Sequence, residues 1–374
     1  MLKVLEFIQA HKNDWEELLS QEPYFLKVSR DNVFNHRLVM LKYNQLDSDF
    51  HEEMVRESRG LIFDEDSLEV VSVPFFKFGN YGESYAPNID WESAIITEKR
   101  DGSLMKVSYI GDDVLISTNG CIDAFKAPLQ DDVLCPYANY GEMFVKALGN
   151  RLQLLEKGKT YMFELTSPYN KVVVPYDKLE LALIGIRDNQ SLQEELIYDS
   201  SLKDSFLLPK RYGFRTLEEC IESAKSLPYS EEGYVVVDKY FNRVKIKSLA
   251  YVDAHHIKGN GVLTEKRILE ILLANEEDEV LVYFPEYSKV FDEMNQRIIR
   301  KALILDAQWK RIKARLDCKD IASRKDLAMF LKDHSEYDYG FIFKMLDGRY
   351  KFSKDYLMKL PAEKLLRMIS EKVA

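Results

Sequence analysis

The chain has only four cysteines in 374 residues, Cys121, Cys135, Cys220 and Cys318, and no two form a C-x-x-C pair. That scatter excludes a disulfide framework and a cysteine zinc site, and implies free thiols in a reducing compartment. No apolar run approaches the roughly 20 residues needed to cross a bilayer. Residues 1–19, MLKVLEFIQAHKNDWEELL, read as one amphipathic helix with acids inside it, which is not the pattern of a signal peptide. The sequence Gly158-Lys159-Thr160 lacks the glycine five residues upstream, where Gln153 stands, so there is no phosphate-cradling P-loop. G-x-S-x-G and H-E-x-x-H are both missing, and His255-His256 has no metal-ligand spacing around it. Internal repeats and low-complexity tracts are absent too.

What is present is a chain that can build two or three cores. It is 46% hydrophobic, with 22 Tyr and 20 Phe, which rules out wholesale disorder. The net charge is −10, against a partner held nonspecifically over the whole surface. Local patches, however, set phosphate contacts. Residues 297–325 are basic, and read equally well as a solvated helix face.

From about 35 to 250 the text is strand-rich. Residues 104–120 form a hairpin pattern around Gly111-Asp112-Asp113, and residues 232–248 another, with its turn near 239–242. TYMFELTSP, NKVVVPY and KLELALIGIRD supply further strands, and helical patterns occupy 140–156 and 217–224. After about 262, apolar residues recur at three- and four-residue spacing and strand signals nearly vanish. The intervening HHIKGNG reads as a linker.

The chemistry centres on TEKRDGSL, where Lys99 leaves an apolar strand and Asp101-Gly102 follow. A lysine with the usual pKa of ~10.4 is protonated at neutral pH and cannot attack; burial or neighbouring cations would free its lone pair. Lys245 and Lys247 stand two apart on a predicted strand, so both point to one face. Glu164 sits inside an apolar strand, and Glu232 precedes a glycine and an apolar run. Each residue alone is equally a salt bridge or a turn cap. Three acids beside lysines suit a hydrated Mg²⁺ and phosphoryl chemistry.

In order, Arg59-Gly60, Lys99-x-Asp101-Gly102, Phe163-Glu164, Glu232-Gly233 and Lys245-x-Lys247 resemble the motifs of the covalent nucleotidyltransferases. ESRGLIFD, VPFFKFGN, EKRDGSL, FELTSPYNKVVVPY, EGYVVV and KIKSLAYV resemble, more narrowly, the bacteriophage T4 RNA ligase 1 family over about residues 35–255. The resemblance implies an α+β fold. An antiparallel-sheet nucleotidyltransferase (ATP-grasp-like ligase) domain would span 1–255, and an all-helical C-terminal domain, a candidate RNA binder, 262–374. A DNA ligase or capping enzyme would instead carry a strand-rich OB-fold there.

The implied activity is ATP-dependent sealing of 5′-phosphate to 3′-hydroxyl RNA ends, as in RNA or tRNA repair. The cofactors would be ATP and Mg²⁺ or Mn²⁺, acting in a cytoplasmic monomer (in host cytoplasm if phage-encoded) with no membrane partner. By the same resemblance Lys99 would carry AMP covalently. Asp101, Glu164 and Glu232 would hold the metal's water shell, Glu164 with the ribose hydroxyls as its other partner. Lys245 and Lys247 would contact the α-phosphate and depress Lys99. Tyr43, Arg59, Lys77 and Gly102 would complete the nucleotide site, and Asp278 would bind a second metal. Ile184 and Ile186 would pack on adenine or serve as core. The family has a phosphate-contacting lysine near the place where Asn119 stands, an uncharged departure. The alternatives are a ligase acting on DNA or nicked duplexes, and a non-catalytic nucleic-acid binder.

Overall fold

The computed structural model describes the chain except residues 46, 130–134, 171–173, 175, 229, 251–263, 282–284, 319–320, 322, 335–336 and 371–374. It divides into two compact units, Met1–His255 and His256–Ala374. The HHIKGNG stretch and most of NKVVVPY lie outside the described residues.

The first unit holds three sheets in which every strand pairing is antiparallel. Strands β1 (Lys27–Val33), β2 (His36–Lys42), β3 (Arg59–Asp64) and β4 (Val70–Ser72) make the first, in sequence order. Strand β5 (Ile95–Glu98) begins a different sheet. The chain then forms β6 (Ser103–Ile110), β7 (Asp113–Thr118), β8 (Lys159–Thr166), β9 (Glu180–Asp188) and β10 (Glu194–Glu195), ordered β10-β9-β8-β6-β7. Strands β11 (Arg211–Tyr212), β12 (Gly233–Val237) and β13 (Arg243–Lys247) complete the sheet of β5, ordered β11-β5-β12-β13.

Period-two burial decides how these sheets stack. Leu38, Met40 and Ile62 of the first sheet pack on Ile110 and Leu115 of the second. Met105, Val107, Tyr161 and Phe163 point the other way, into a core that includes Met143, Phe144 and Leu148 of helix Tyr140–Leu148. Helix Leu217–Ser226 covers the third sheet through Cys220 and Ala224, against Tyr234, Val236, Val244 and Ile246.

Both hairpin readings hold. Ile110 pairs with Asp113, so the first turn is Gly111-Asp112 alone, with Gly111 at φ +59°. Asp238 closes the second turn by accepting from the N–H groups of Tyr240 and Asn242 at 2.9 and 3.0 Å. The N-terminal reading needs correction: there are two helices, Lys3–Ala10 and Trp15–Leu19. Buried Glu57 accepts from the N–H groups of Lys3 and Val4 at 3.0 and 2.8 Å, anchoring the start of the first helix, and the chain turns at residues 11–14.

The described part of the second unit is helical, with no strands. Its longest helix, Ser288–Asp317, buries Phe291, Met294, Ile298, Ala302, Leu305 and Ile312, one face at 3.6-residue periodicity. Helix Glu265–Ala274 ends at Asn275 in the left-handed conformation (φ +56°), which splits the long periodic stretch seen in sequence. No described helix is long and apolar enough to cross a membrane. All four cysteines are free.

Candidate active site

A cavity of about 280 Å³ opens between the second and third sheets. Its third wall is the segment of residues 73–80, VPFFKFGN, which bridges the sheets. Val73 N–H donates to Thr160 Oγ1 at 2.9 Å on β8, and Lys245 N–H donates to the Gly79 carbonyl at 3.1 Å on β13. Phe75, Lys77 and Phe78 thereby line the cavity.

Lys99 follows directly on β5. Its N–H donates to the Gly233 carbonyl at 2.8 Å, continuing the β5–β12 pairing by one residue. That register brings it level with Glu232, whose buried Oε2 lies 2.6 Å from Lys99 Nζ. The next two residues turn the chain into β6. A Cβ on Gly102 would stand 2.4 Å from the Leu165 carbonyl, so only glycine allows β6 to start so close to β8. The Gly102 N–H donates to Glu164 Oε1 at 3.0 Å. Asp101 is buried, and its Oδ2 accepts from Val174 N–H at 2.7 Å. The spacing Lys-x-Asp-Gly thus carries the chain from β5 to β6, with Lys99 against β12 and Gly102 against β8.

Electrostatics here differ from the sequence expectation. Burial pushes the Lys99 amine down, but the charges of Glu232, Glu164 and Asp101 outweigh it and the net shift is upward. Without nucleotide Lys99 is therefore an ammonium in a carboxylate nest, and the expected depression by Lys245 and Lys247 is corrected. Glu164 is pushed up to about 7 by burial and by Glu232, against the opposing pull of Lys99.

Lys245 lines the same cavity, as do Arg59 and Tyr43. Lys245 and Lys247 alternate with buried Val244 and Ile246, as predicted. Lys77 Nζ lies 4.9 Å from the Phe50 ring centroid and 5.6 Å from that of Tyr43. Arg59 lies 5.2 Å from the Phe78 ring, and its Nη1 is buried with no hydrogen-bond partner among the described residues. A buried, unpaired guanidinium nitrogen on a cavity wall fits an anionic ligand.

The isoleucine pair separates. A register shift in β9 sets Met162 opposite Gly185 and Phe163 opposite Leu183, leaving Ile184 as the extra residue. Ile184 lines the cavity, whereas Ile186 is 1% exposed in the core behind it. Asp278 lies on helix Glu277–Leu281 in the other unit. Among the described residues no group of three or more His, Cys, Asp and Glu is arranged to hold a metal directly. The hard oxygens of Asp101, Glu164 and Glu232 suit a hydrated divalent cation instead.

Sequence reasoning missed one arrangement. Glu194, 4% exposed, takes Arg187 Nη2 at 2.5 Å and Arg243 Nη2 at 2.8 Å, and the two guanidiniums lie over Phe76 and Phe75 at 4.3 and 4.1 Å. Glu194 and Arg243 line the cavity. Arg187 and Glu194 are seven residues apart and Arg243 lies 49 beyond Glu194, with no shared motif; an arginine near the end of each of two strands was the available signal.

The family model described as RNA ligase matches residues 57–251. A provisionally named RNA ligase of Thermovibrio ammonificans is 32% identical over 279 residues, 68% of this chain and 67% of that one. A provisionally named bifunctional polynucleotide kinase/RNA ligase of Autographa californica nuclear polyhedrosis virus is 31% identical over 287 residues. The match takes in 71% of this chain but only 40% of that relative's length. The RNA ligase of Rhodothermus phage RM378 is 24% identical, with 92% of this chain and 93% of that one covered. An archaeal ATP-dependent RNA ligase structure superposes with a TM-score of 0.47 at 14% identity, covering 80% of this chain and 82% of that one.

Proposed function

The chain belongs to the RNA ligase family, and on that footing we propose that it joins 5′-phosphate and 3′-hydroxyl RNA ends at the expense of ATP, in RNA repair. The observation that carries this reading is Lys99 on the cavity floor, 2.6 Å from Glu232, with Arg59, Lys77 and Lys245 on the walls. In the first step Lys99 Nζ attacks the α-phosphorus of ATP, the bond to pyrophosphate breaks, and AMP is held on the lysine. The AMP then passes to the RNA 5′-phosphate, and a 3′-hydroxyl displaces it. Each displacement is in line on phosphorus, so catalysis is mainly positioning and charge neutralisation.

Arg59, Lys77, Lys245 and Lys247 supply that neutralisation, and Tyr43 and Gly102 border the nucleotide. Asp101, Glu164 and Glu232 would hold the waters of Mg²⁺ or Mn²⁺, an ion that spreads the charge of the departing pyrophosphate. With the charges of Asp101, Glu164 and Glu232 offset by such an ion, Lys99 would lose the interactions that keep it an ammonium and could give up its proton. Ile184 packs on the adenine face. Residues 1–255 form the adenylyltransferase domain and 262–374 a helical RNA-binding domain, in which Asp278 is a second metal ligand; the protein acts as a cytoplasmic monomer.

The test is incubation with α-labelled ATP and Mg²⁺ followed by denaturing electrophoresis, then sealing of single-stranded RNA, nicked duplex RNA and nicked DNA. Label is expected on the wild-type protein and on neither Lys99→Ala nor Lys99→Arg, whose guanidinium stays protonated. Label on Lys99→Arg would overturn the nucleophile. Preference for nicked DNA would overturn the substrate, and no label on any form would leave a nucleic-acid binder.

A further inference from the structure

Lys106 is a fully buried cation among the described residues of the first unit, outside those already assigned. It lies on β6 two residues beyond Leu104, so the two side chains share a face. Leu104 lines the cavity; Lys106 is one step behind it and 0% exposed. A fully buried lysine needs a partner, and no carboxylate among the described residues provides one. Its Nζ donates instead to the carbonyl of Gly60.

The surroundings explain the aim of that bond. Gly60 follows Arg59 on β3 with φ +78°, in the left-handed region that favours glycine. A Cβ there would lie 3.0 Å from the Asn119 carbonyl oxygen and 3.3 Å from Lys106 Nζ. Three segments thus converge on the peptide that carries Arg59. The elements packed on Lys106 present Ser117 across β7, Met162 across β8, and Arg59 and Asn119 at the convergence. Among these Arg59 alone is charged. The hydroxyls of Ser108 and Ser117 and Oδ1 of Asn119 are buried with no hydrogen-bond partner among the described residues. Such groups can turn toward an ammonium when it forms.

Resting on the ligase reading above, we propose that Lys106 is a positioning residue for the nucleotide phosphates: from behind β3 it holds the Arg59–Gly60 peptide so that the guanidinium faces the cavity, and it adds its own positive charge when a polyphosphate enters. Burial, reinforced by repulsion from Arg59, pushes its amine down to about 7, so near neutral pH it is divided between amine and ammonium. A polyphosphate seated on Arg59 offsets that repulsion and favours the ammonium, so nucleotide binding takes up a proton at Lys106. The cationic form is the one that binds ATP tightly. Affinity for ATP therefore falls as pH rises through the neutral range.

The experiment measures initial rates of covalent AMP transfer against ATP concentration, at about pH 6 and about pH 8.5, with thermal unfolding recorded alongside. In wild type the KM for ATP is expected to rise about tenfold between the two pH values. In Lys106→Met it is expected to be raised about tenfold at the lower pH and to keep only the part of the pH dependence that comes from Glu164, whose value of about 7 falls in the same range. The rate at saturating ATP should change less than KM, and the Tm should hold or rise, since a buried cation has been replaced by an apolar side chain of similar length. A purely structural role predicts a lower Tm with wild-type pH dependence, and that result overturns the proposal. Should Lys106→Met fail to fold, Arg59→Met decides: losing the repelling guanidinium should move the KM inflection to higher pH, and an unmoved inflection overturns it. Absence of covalent AMP on wild type would sink the ligase reading; covalent AMP with a pH-independent KM sinks this inference alone.

Discussion

Replacing Glu194 with glutamine should cost the first unit a large part of its stability. The side chain keeps its volume, but two guanidiniums, Arg187 and Arg243 at 6% and 10% exposure, lose their shared counter-ion. Breaking a buried ion pair from one side typically costs about 3–5 kcal/mol, because the remaining charge stays desolvated. For a domain of this size that corresponds to a fall in Tm of about 6–20 °C. Burial alone would raise the Glu194 carboxyl, but Arg243 and Arg187 more than offset it and the net shift is downward. The sign follows: the contribution is present above the unfolded value of about 4.3 and is lost as pH falls through the lower folded value. Circular dichroism melts of wild type and Glu194→Gln at pH 7 and at progressively lower pH should therefore converge in acid. The exposed Lys157–Asp112 pair is the control; Asp112→Ala should leave the melt unchanged. Replacing all three buried groups together (Arg187→Met, Glu194→Leu, Arg243→Met) should recover most of the loss. A Glu194→Gln melt within about 1 kcal/mol of wild type would refute the reasoning, since it would mean the guanidiniums are not desolvated.

Other expectations follow from the same geometry. Ile186→Ala should cost about 2–5 kcal/mol of stability with little change in KM for ATP, whereas Ile184→Ala should raise that KM severalfold with a smaller loss of stability; equal effects would mean the extra residue in β9 does not divide their roles. Glu164 has a folded value of about 7 against about 4.3 unfolded, so the folded state holds the extra proton and stability falls as pH rises across that window. Glu164→Gln should accordingly melt higher than wild type at about pH 8, lose that lead at about pH 4, and fail to acquire AMP. A lead that does not change with pH would refute it.

The elements that carry the chemistry were legible because each is local. Lys-x-Asp-Gly, Glu-Gly and Lys-x-Lys record how a strand end, a close strand approach and period-two alternation place side chains, and those constraints act within a few residues. The late hairpin and the alternation of Lys245 and Lys247 with Val244 and Ile246 were read correctly for that reason. The opening helix was misread because its apolar periodicity runs on through residues 11–14, where the chain turns after His11 closes the first helix on the Phe7 carbonyl.

The charge state of Lys99 was also misjudged. Sequence places two lysines and three acids in the neighbourhood without saying which lie nearer, and the nearest contact is Glu232 at 2.6 Å. The same distinction governs the whole molecule. Strand identity, the order of the motifs, the helical character of the tail and membership of a ligase lineage are written in one dimension, as spacing and side-chain type. The Arg187–Glu194–Arg243 triad, the outward turn of Ile184 and the sealed Lys106 depend on register and on sheet stacking. Those arise only when segments remote in sequence are pressed together, and desolvation, which sets the strength of every charge, exists only after they are.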